Sequence, residues 1–266
     1  MHKVAGQRDP IIKLLRDLCG EEGRRRTGLY FVEGEELVRR AFDFGGKLDS
    51  IILSERYAAG EASKDLLSRS ASTCVPAYCA TDGLLAKTLQ AKPTPDCLAI
   101  IERKVAALSE AFAGDIPLVQ MVERGENADN LGMLLRSADA AGVSSVVLTA
   151  GTTDPFNRRV VRGSRGAVFT VPICICNDSG VVIEEARGKG LQVVATSAQA
   201  EQVYTDFDYT KPTMVIVGNE HVGISDVARE KADVVVRIPM LGKINSLNIA
   251  VAASLMLYEA VRQRGY

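Results

Sequence analysis

Short, β-branched apolar runs punctuate this chain and are separated by stretches with helical spacing, so the pattern predicts strands alternating with helices. In the amino-terminal part, Leu29 to Val32, Leu48 to Leu53, a short run near Val75 and Cys97 to Ile101 read as strands. Ile11 to Cys19, Glu35 to Phe42, Ser63 to Ser68 and Gly83 to Leu89 read as the helices around them. From Leu118 onward the runs become more uniformly apolar: Leu118 to Val122, Ser145 to Thr149, Val171 to Ile175, Gln192 to Thr196, Met214 to Val217 and Asp233 to Ile238. Near-continuous apolar strands alternating with helices argue a parallel sheet covered on both faces. Two α/β domains are expected: a smaller one over 1–103, a linker over 104–116 where Ala, Ser and Gly separate two apolar runs, and a larger one over 117–266.

Met214 to Arg264 is the stretch richest in polar groups at element ends. Its first strand ends in the tight turn Gly218-Asn219-Glu220, its second in Ile238-Pro239-Met240, and the loop Leu241 to Asn245 then leads to Ser246-Leu247-Asn248. Ser246 is expected to cap the final helix, Leu247 to about Arg262. That helix is apolar on all sides, so most of it must be covered, and it asks for a partner surface. Asn245, Ser246 and Asn248 at its mouth are candidate site residues; a cap that only satisfies backbone amides is the competing reading of Ser246. Ligands of parallel sheets bind at the carboxyl ends of strands, which aligns Thr196 to Ala198, Gly218 to Glu220 and Ile238 to Met240 along one edge.

Composition narrows the class. Hydrophobic residues make up 47% and charged residues 24% of the 266, an ordinary globular balance. No apolar run approaches a membrane span, and Met1 to Asp9 lacks a signal peptide's apolar core, so a cytoplasmic protein is expected. The six cysteines (Cys19, Cys74, Cys79, Cys97, Cys174, Cys176) lack paired metal spacing and read as reduced thiols; no metal site is expected. A net charge of −1 exerts no global pull on nucleic acid, so any grip on RNA must be local. Two basic clusters offer one: Arg24, Arg25 and Arg26 in a loop before the first long strand, and Arg158, Arg162 and Arg165 along one helical face after Asn157. A solvated surface is the bland alternative for both.

Competing nucleotide chemistries lose their support. The chain has no Gly-x-Gly-x-x-Gly, no phosphate-loop Lys after the Gly218 and Gly223 pair, and no Gly-x-Ser-x-Gly nucleophile turn. The ordered set Asn130-Leu131-Gly132 with Arg136-Ser137-Ala138, then Gly218-Asn219-Glu220, then Ile238-Pro239-Met240 and Ser246-Leu247-Asn248, resembles the motifs of the SpoU (TrmH) branch of the SPOUT RNA methyltransferases. One departure stands before the first motif, where Asn127-Ala128-Asp129 replaces a more common Asp-Pro step.

The resemblance implies a parallel α/β methyltransferase domain with a trefoil knot, S-adenosylmethionine as cofactor, a homodimer, and transfer of methyl to a ribose 2′-hydroxyl of structured RNA. It assigns cofactor contacts to Thr196, Gly218, Ile238, Met240 and Leu247, and catalysis to Asn130, Arg136, Glu220, Ser246 and Asn248. Arg136 would assist deprotonation or stabilise the alkoxide; a guanidinium normally stays protonated. Phe31-Val32-Glu33-Gly34-Glu35 resembles the start of a ribosomal-protein-like RNA-binding domain, which favours 23S ribosomal RNA as substrate. Transfer RNA methylation and noncatalytic RNA binding are the alternatives.

Overall fold

A computed structural model describes residues 1–219, 221–243 and 246–266. The chain forms two compact units, Met1–Arg103 with Phe156–Phe169, and Lys104–Pro155 with Thr170–Tyr266.

In the first unit, β1 (His2–Lys3), β2 (Leu29–Glu33), β3 (Leu48–Ser54), β4 (Ala77–Ala80) and β5 (Cys97–Glu102) make a sheet in the order β1-β4-β3-β5-β2. Strand β5 runs antiparallel to both neighbours. The helices are α1 (Pro10–Cys19), α2 (Glu21–Thr27), α3 (Glu35–Asp43), α4 (Glu55–Ala58), α5 (Ser63–Ser72) and α6 (Asp82–Leu89). Asp9 caps α1 by accepting the Ile11 N–H, and Pro10 starts it with φ already suited to a helix. Ile12, Leu15 and Leu18 of α1 and Leu85 and Leu89 of α6 then bury against Phe31, Ile52, Leu98 and Ile100. Each such side chain removed from water contributes about 1.5–3 kcal/mol.

The arginine run expected in a loop lies in α2 instead. Gly23 explains the close fit: a Cβ there would stand 2.0 Å from the Asp17 carbonyl oxygen, so α2 rests directly on the end of α1. Arg24 is thereby buried, and its Nη1 donates to the carbonyls of Leu18 at 2.9 Å and Cys19 at 3.1 Å. It serves as a cap for carbonyls left over at the end of α1, which corrects its expected role as a phosphate contact.

The second unit begins with β6 (Leu118–Val122), α7 (Ala128–Ala140) and β7 (Ser145–Leu148). The next helix, α8 (Arg158–Ser164), belongs to the first unit, although its place in the sequence puts it in the larger domain. After α9 (Ala167–Thr170) come β8 (Ile173–Ile175), α10 (Ser179–Gly188), β9 (Gln192–Thr196), β10 (Gln202–Val203), β11 (Thr213–Val217), α11 (Asp226–Lys231), β12 (Val234–Arg237) and α12 (Ile249–Gln263). Seven strands align in the order β10-β12-β9-β11-β6-β7-β8, every pairing parallel. The expected α/β fold with a carboxy-terminal parallel sheet is borne out.

Val182, Ile183 and Ala186 of α10 and Ala228 of α11 cover one face of this sheet over Val119, Met121, Val193 and Ile216. The segment read as a linker joins them: Ala111 and Phe112 are buried in the same core, and the Ser145 hydroxyl donates to the Ala111 carbonyl at 2.7 Å. Helix α12 packs against α7 and β11, burying Ala250, Ala253, Met256, Leu257 and Ala260. Its remaining apolar face, Val251, Leu255 and Tyr258, is exposed.

Among the described residues no helix is long and apolar enough to cross a membrane, and no group of three or more metal-binding side chains gathers. All six cysteines are free; burial pushes the Cys97 thiol up to about 12 and the Cys174 thiol up to about 11, which keeps both protonated at neutral pH.

Candidate active site

Chain order makes the site. From β6 the chain winds outward through β7 and β8, then crosses back to lay β9, β11 and β12 on the other side of β6. The carboxyl ends of β12, β9, β11 and β6 are therefore neighbours at the place where winding reverses, the position where parallel sheets open a crevice.

A cleft of ≈ 320 Å³ lies there, lined by the strand ends and the start of α12. Thr196, Gly218, Ile238, Met240 and Leu247, the five positions expected to hold a cofactor, all line it, and so does Ser246. Thr196 turns its hydroxyl to the Ile216 carbonyl at 3.1 Å, pinning β9 to β11 beside the cleft. Gly218 cannot be anything larger: a Cβ would stand 2.3 Å from the Gly223 carbonyl carbon. This close approach folds the turn back on itself, with the Gly223 N–H donating to the Asn219 carbonyl at 2.8 Å. The Asn219 side chain completes the turn, accepting the N–H groups of His221 at 2.8 Å and Val222 at 3.3 Å.

A smaller cleft of ≈ 150 Å³ adjoins the first, sharing Asn219, His221 and Ile249 with it. Its other walls include Arg124, Asn127, Asn130 and Leu134. Asn127 caps α7, accepting the N–H groups of Asp129 at 2.9 Å and Asn130 at 3.3 Å, so the departure from Asp-Pro still starts a helix at the same place. Asn130 then lies in the first turn, and its Oδ1 accepts Nδ2 of Asn248 at 2.9 Å. That bond joins α7 to α12, two elements far apart in sequence.

Asn248 rather than Ser246 caps α12, its Oδ1 accepting the Ala250 N–H at 2.9 Å and the Val251 N–H at 3.4 Å. The cap expected at Ser246 is thus corrected: the helix starts at Ile249, and Ser246 lines the larger cleft. Arg136 is exposed on α7 and lines neither cleft. Glu220 and Asn245 lie outside the described residues.

Of the six arginines expected to contact RNA, Arg158 and Arg162 line one cleft of the first unit. Arg25 pairs with Glu21 at 2.7 Å and Arg26 with Asp17 at 2.8 Å. Arg158 is bonded to Glu33 and to the Leu89 carbonyl, and Arg165, a left-handed residue ending α8, pairs with Glu36 at 2.8 Å. Of that stripe Arg162 and Arg165 are both exposed, and Arg162 makes no ion pair among the described residues. Asn219, part of the expected Gly218-Asn219-Glu220 turn, lines the larger cleft, and so do His221, Gln199 and Arg229, which the sequence pattern did not mark. His221 could have been found from its place in the Gly218 turn; Arg229 enters from α11, whose facing the linear pattern does not reveal.

The profile of the SpoU rRNA methylase family matches residues 117–258. The chain belongs to this family. It is 31% identical to the 23S rRNA (uridine(2479)-2′-O)-methyltransferase of Streptomyces viridochromogenes, over 93% of this chain and 88% of the relative. It is 28% identical to the 23S rRNA (guanosine(2553)-2′-O)-methyltransferase of Bacillus subtilis, over 97% and 98%. The crystal structure of an AdoMet-bound rRNA methyltransferase from Sinorhizobium meliloti superposes with a TM-score of 0.88 at 29% identity, covering 98% of this chain and 97% of that one. As a SpoU family member, the chain carries both clefts within the matched segment.

Proposed function

We propose that this chain is an S-adenosylmethionine-dependent methyltransferase acting on a ribose 2′-hydroxyl of structured RNA, with 23S ribosomal RNA the favoured substrate and the cytoplasm its place of action. The convergence of Thr196, Gly218, Ile238, Met240 and Leu247 on one cleft, beside the Asn130 and Asn248 pair, carries this reading. The cleft suits the cofactor: its size is that of a small-molecule site, and the glycine at 218 lets backbone rather than side chain face the ligand. The match to the two 23S enzymes over nearly their whole lengths, first unit included, favours ribosomal over transfer RNA. The knotted carboxy-terminal path is part of the same proposal, on family grounds.

When bound, S-adenosylmethionine supplies an electrophilic methyl group. The chain's residues must bring the ribose oxygen into line with it and provide for the departing proton. Asn130, which lines the smaller cleft and is held by the Asn248 amide, would orient the ribose there. Ser246, freed from capping, borders the cofactor cleft. Arg136 lines neither cleft of its own chain, so its role would be to stabilise the developing alkoxide as a cation from across a dimer junction rather than to take up a proton.

Arg136 shares the exposed side of the α7 and α12 pair with Met133, Val251, Leu255 and Tyr258. A homodimer through these two helices would bury that apolar face and leave Arg136 at the junction. Light scattering at micromolar concentration should give twice the chain mass; a monomer would overturn the dimer. For the reaction, labelled methyl should pass from S-adenosylmethionine to one 2′-hydroxyl of unmodified ribosomal RNA. Label only in transfer RNA would overturn the substrate, and RNA binding with no label on any RNA would favour the noncatalytic reading.

A further inference from the structure

Directly after β6 stands Glu123, a buried carboxylate that lines neither cleft. Three donors converge on it. Oε2 accepts the Ser225 N–H at 2.7 Å, and Oε1 accepts the Ser225 hydroxyl at 2.9 Å together with the Ser179 hydroxyl. Its own N–H donates to the Val217 carbonyl at 2.9 Å, immediately before Gly218. The next residue holds the other side of the same turn: the Arg124 carbonyl accepts Nδ2 of Asn219 at 3.0 Å. Arg124 is left-handed, with φ 52°, a conformation that costs a non-glycine residue free energy and persists where the surroundings enforce it.

Burying a carboxylate is costly unless donors meet it, and a core strand end needs none for packing. Ser225 is the donor that connects this carboxylate to the larger cleft. Asn219, His221, Val222 and Gly223 line the larger cleft, Asn219 and His221 line both, and the chain on either side of them is tied down at 219 and 225 to consecutive residues of one strand end. Ser225 also caps α11, accepting the Ala228 N–H at 3.1 Å, so the helix that presents Arg229 to the cleft is held by the same contact.

We propose that Glu123 is a positioning residue for methyl transfer. Through Ser225 it sets the end of the turn after Gly218 and the start of α11, with the Ser179 hydroxyl of α10 holding the same carboxylate in place, and so it sets the cofactor against the ribose. The assignment rests on the methyltransferase reading of the clefts.

The test uses the full chain with Glu123→Ala, Glu123→Asp and Glu123→Gln, reading S-adenosylmethionine affinity by calorimetry apart from kcat and KM for methyl transfer. Glutamine retains an acceptor for the Ser225 N–H, and its amide can donate to both hydroxyls, so it should stay within about threefold of wild type. Removing hydrogen bonds to a charged group should weaken cofactor affinity and lower kcat by about tenfold or more each in the alanine variant. Aspartate, one methylene short, should lie between the two and replaces alanine should that variant fail to fold. A folded alanine or aspartate variant with wild-type affinity and kcat, or a glutamine variant as impaired as alanine, would overturn the proposal. Wild-type protein that binds S-adenosylmethionine but methylates no RNA would overturn the catalytic reading alone, and affinity would still decide the role of Glu123.

Discussion

The strand-end cleft of the second unit and the arginine runs of the first differ in how far their chemistry can be read along the chain. The cleft is built from backbone at the ends of parallel strands, and short motifs specify it: a glycine that admits a turn, an asparagine that caps a helix. The arginines are side chains whose use depends on what meets them. Arg24 caps a helix end, Arg158 and Arg165 pair with glutamates, and Arg162, alone of its stripe, makes no ion pair among the described residues. A motif defined by backbone geometry keeps its meaning in the fold, whereas a run of charge acquires one there.

Substitutions can break or sharpen this contrast. The largest effect is expected at Gly218→Ala, because the added Cβ meets backbone that cannot swing aside. S-adenosylmethionine binding should be abolished and stability should drop by about 1–3 kcal/mol, as for other overpacked sites; calorimetry together with urea unfolding checks both. Retained binding would mean that the cleft is less dependent on backbone than the comparison requires.

Arg24→Ala should rank next. Losing buried charged donors to two carbonyls should cost about 1.5–3 kcal/mol in unfolding, while Arg25→Ala, an exposed ion pair, should cost less than about 1 kcal/mol. Equal losses would erase the distinction drawn within the run.

Asn248→Ala removes the α12 cap and the bond to Asn130, so about 1 kcal/mol of stability should go together with methyl transfer. Ser246→Ala should leave thermal stability within about 0.5 kcal/mol of wild type, since it caps nothing. The smallest change belongs to Arg162→Ala: stability should hold, and the slope of log affinity for RNA against log salt should shrink by about one. An unchanged slope would remove Arg162 from the RNA surface.

Much of the fold was legible. Strands β2, β3, β5, β6, β9 and β11 lie within about a residue of the apolar runs that announce them, because a strand buried in its sheet must be apolar over most of its length, and one covered on both faces throughout. Part of the larger cleft's lining was legible for a related reason: Thr196, Gly218 and Ile238 sit at or directly after strand ends. Three features were not. The cap of α12 falls on Asn248 because the chain stays non-helical through Leu247, and nothing local separates one polar residue at a helix mouth from another. The arginine run folds as α2 because Gly23 can rest on Asp17, a contact between two helices. Ala111 and Phe112 join the core because β7 passes beside them, which no linker composition discloses.

By itself, the sequence determined the alternation of elements, the parallel character of the larger sheet and the turn at Gly218, since periodicity and steric permission are properties of neighbouring residues. Only the tertiary structure decided that Asn130 meets Asn248, that Glu123 holds the turn after Gly218, and that Phe156–Phe169 packs with the first unit. Each of those depends on which distant segments the strand order brings together, and a hydrogen-bonding side chain takes its role from the partner it finds there.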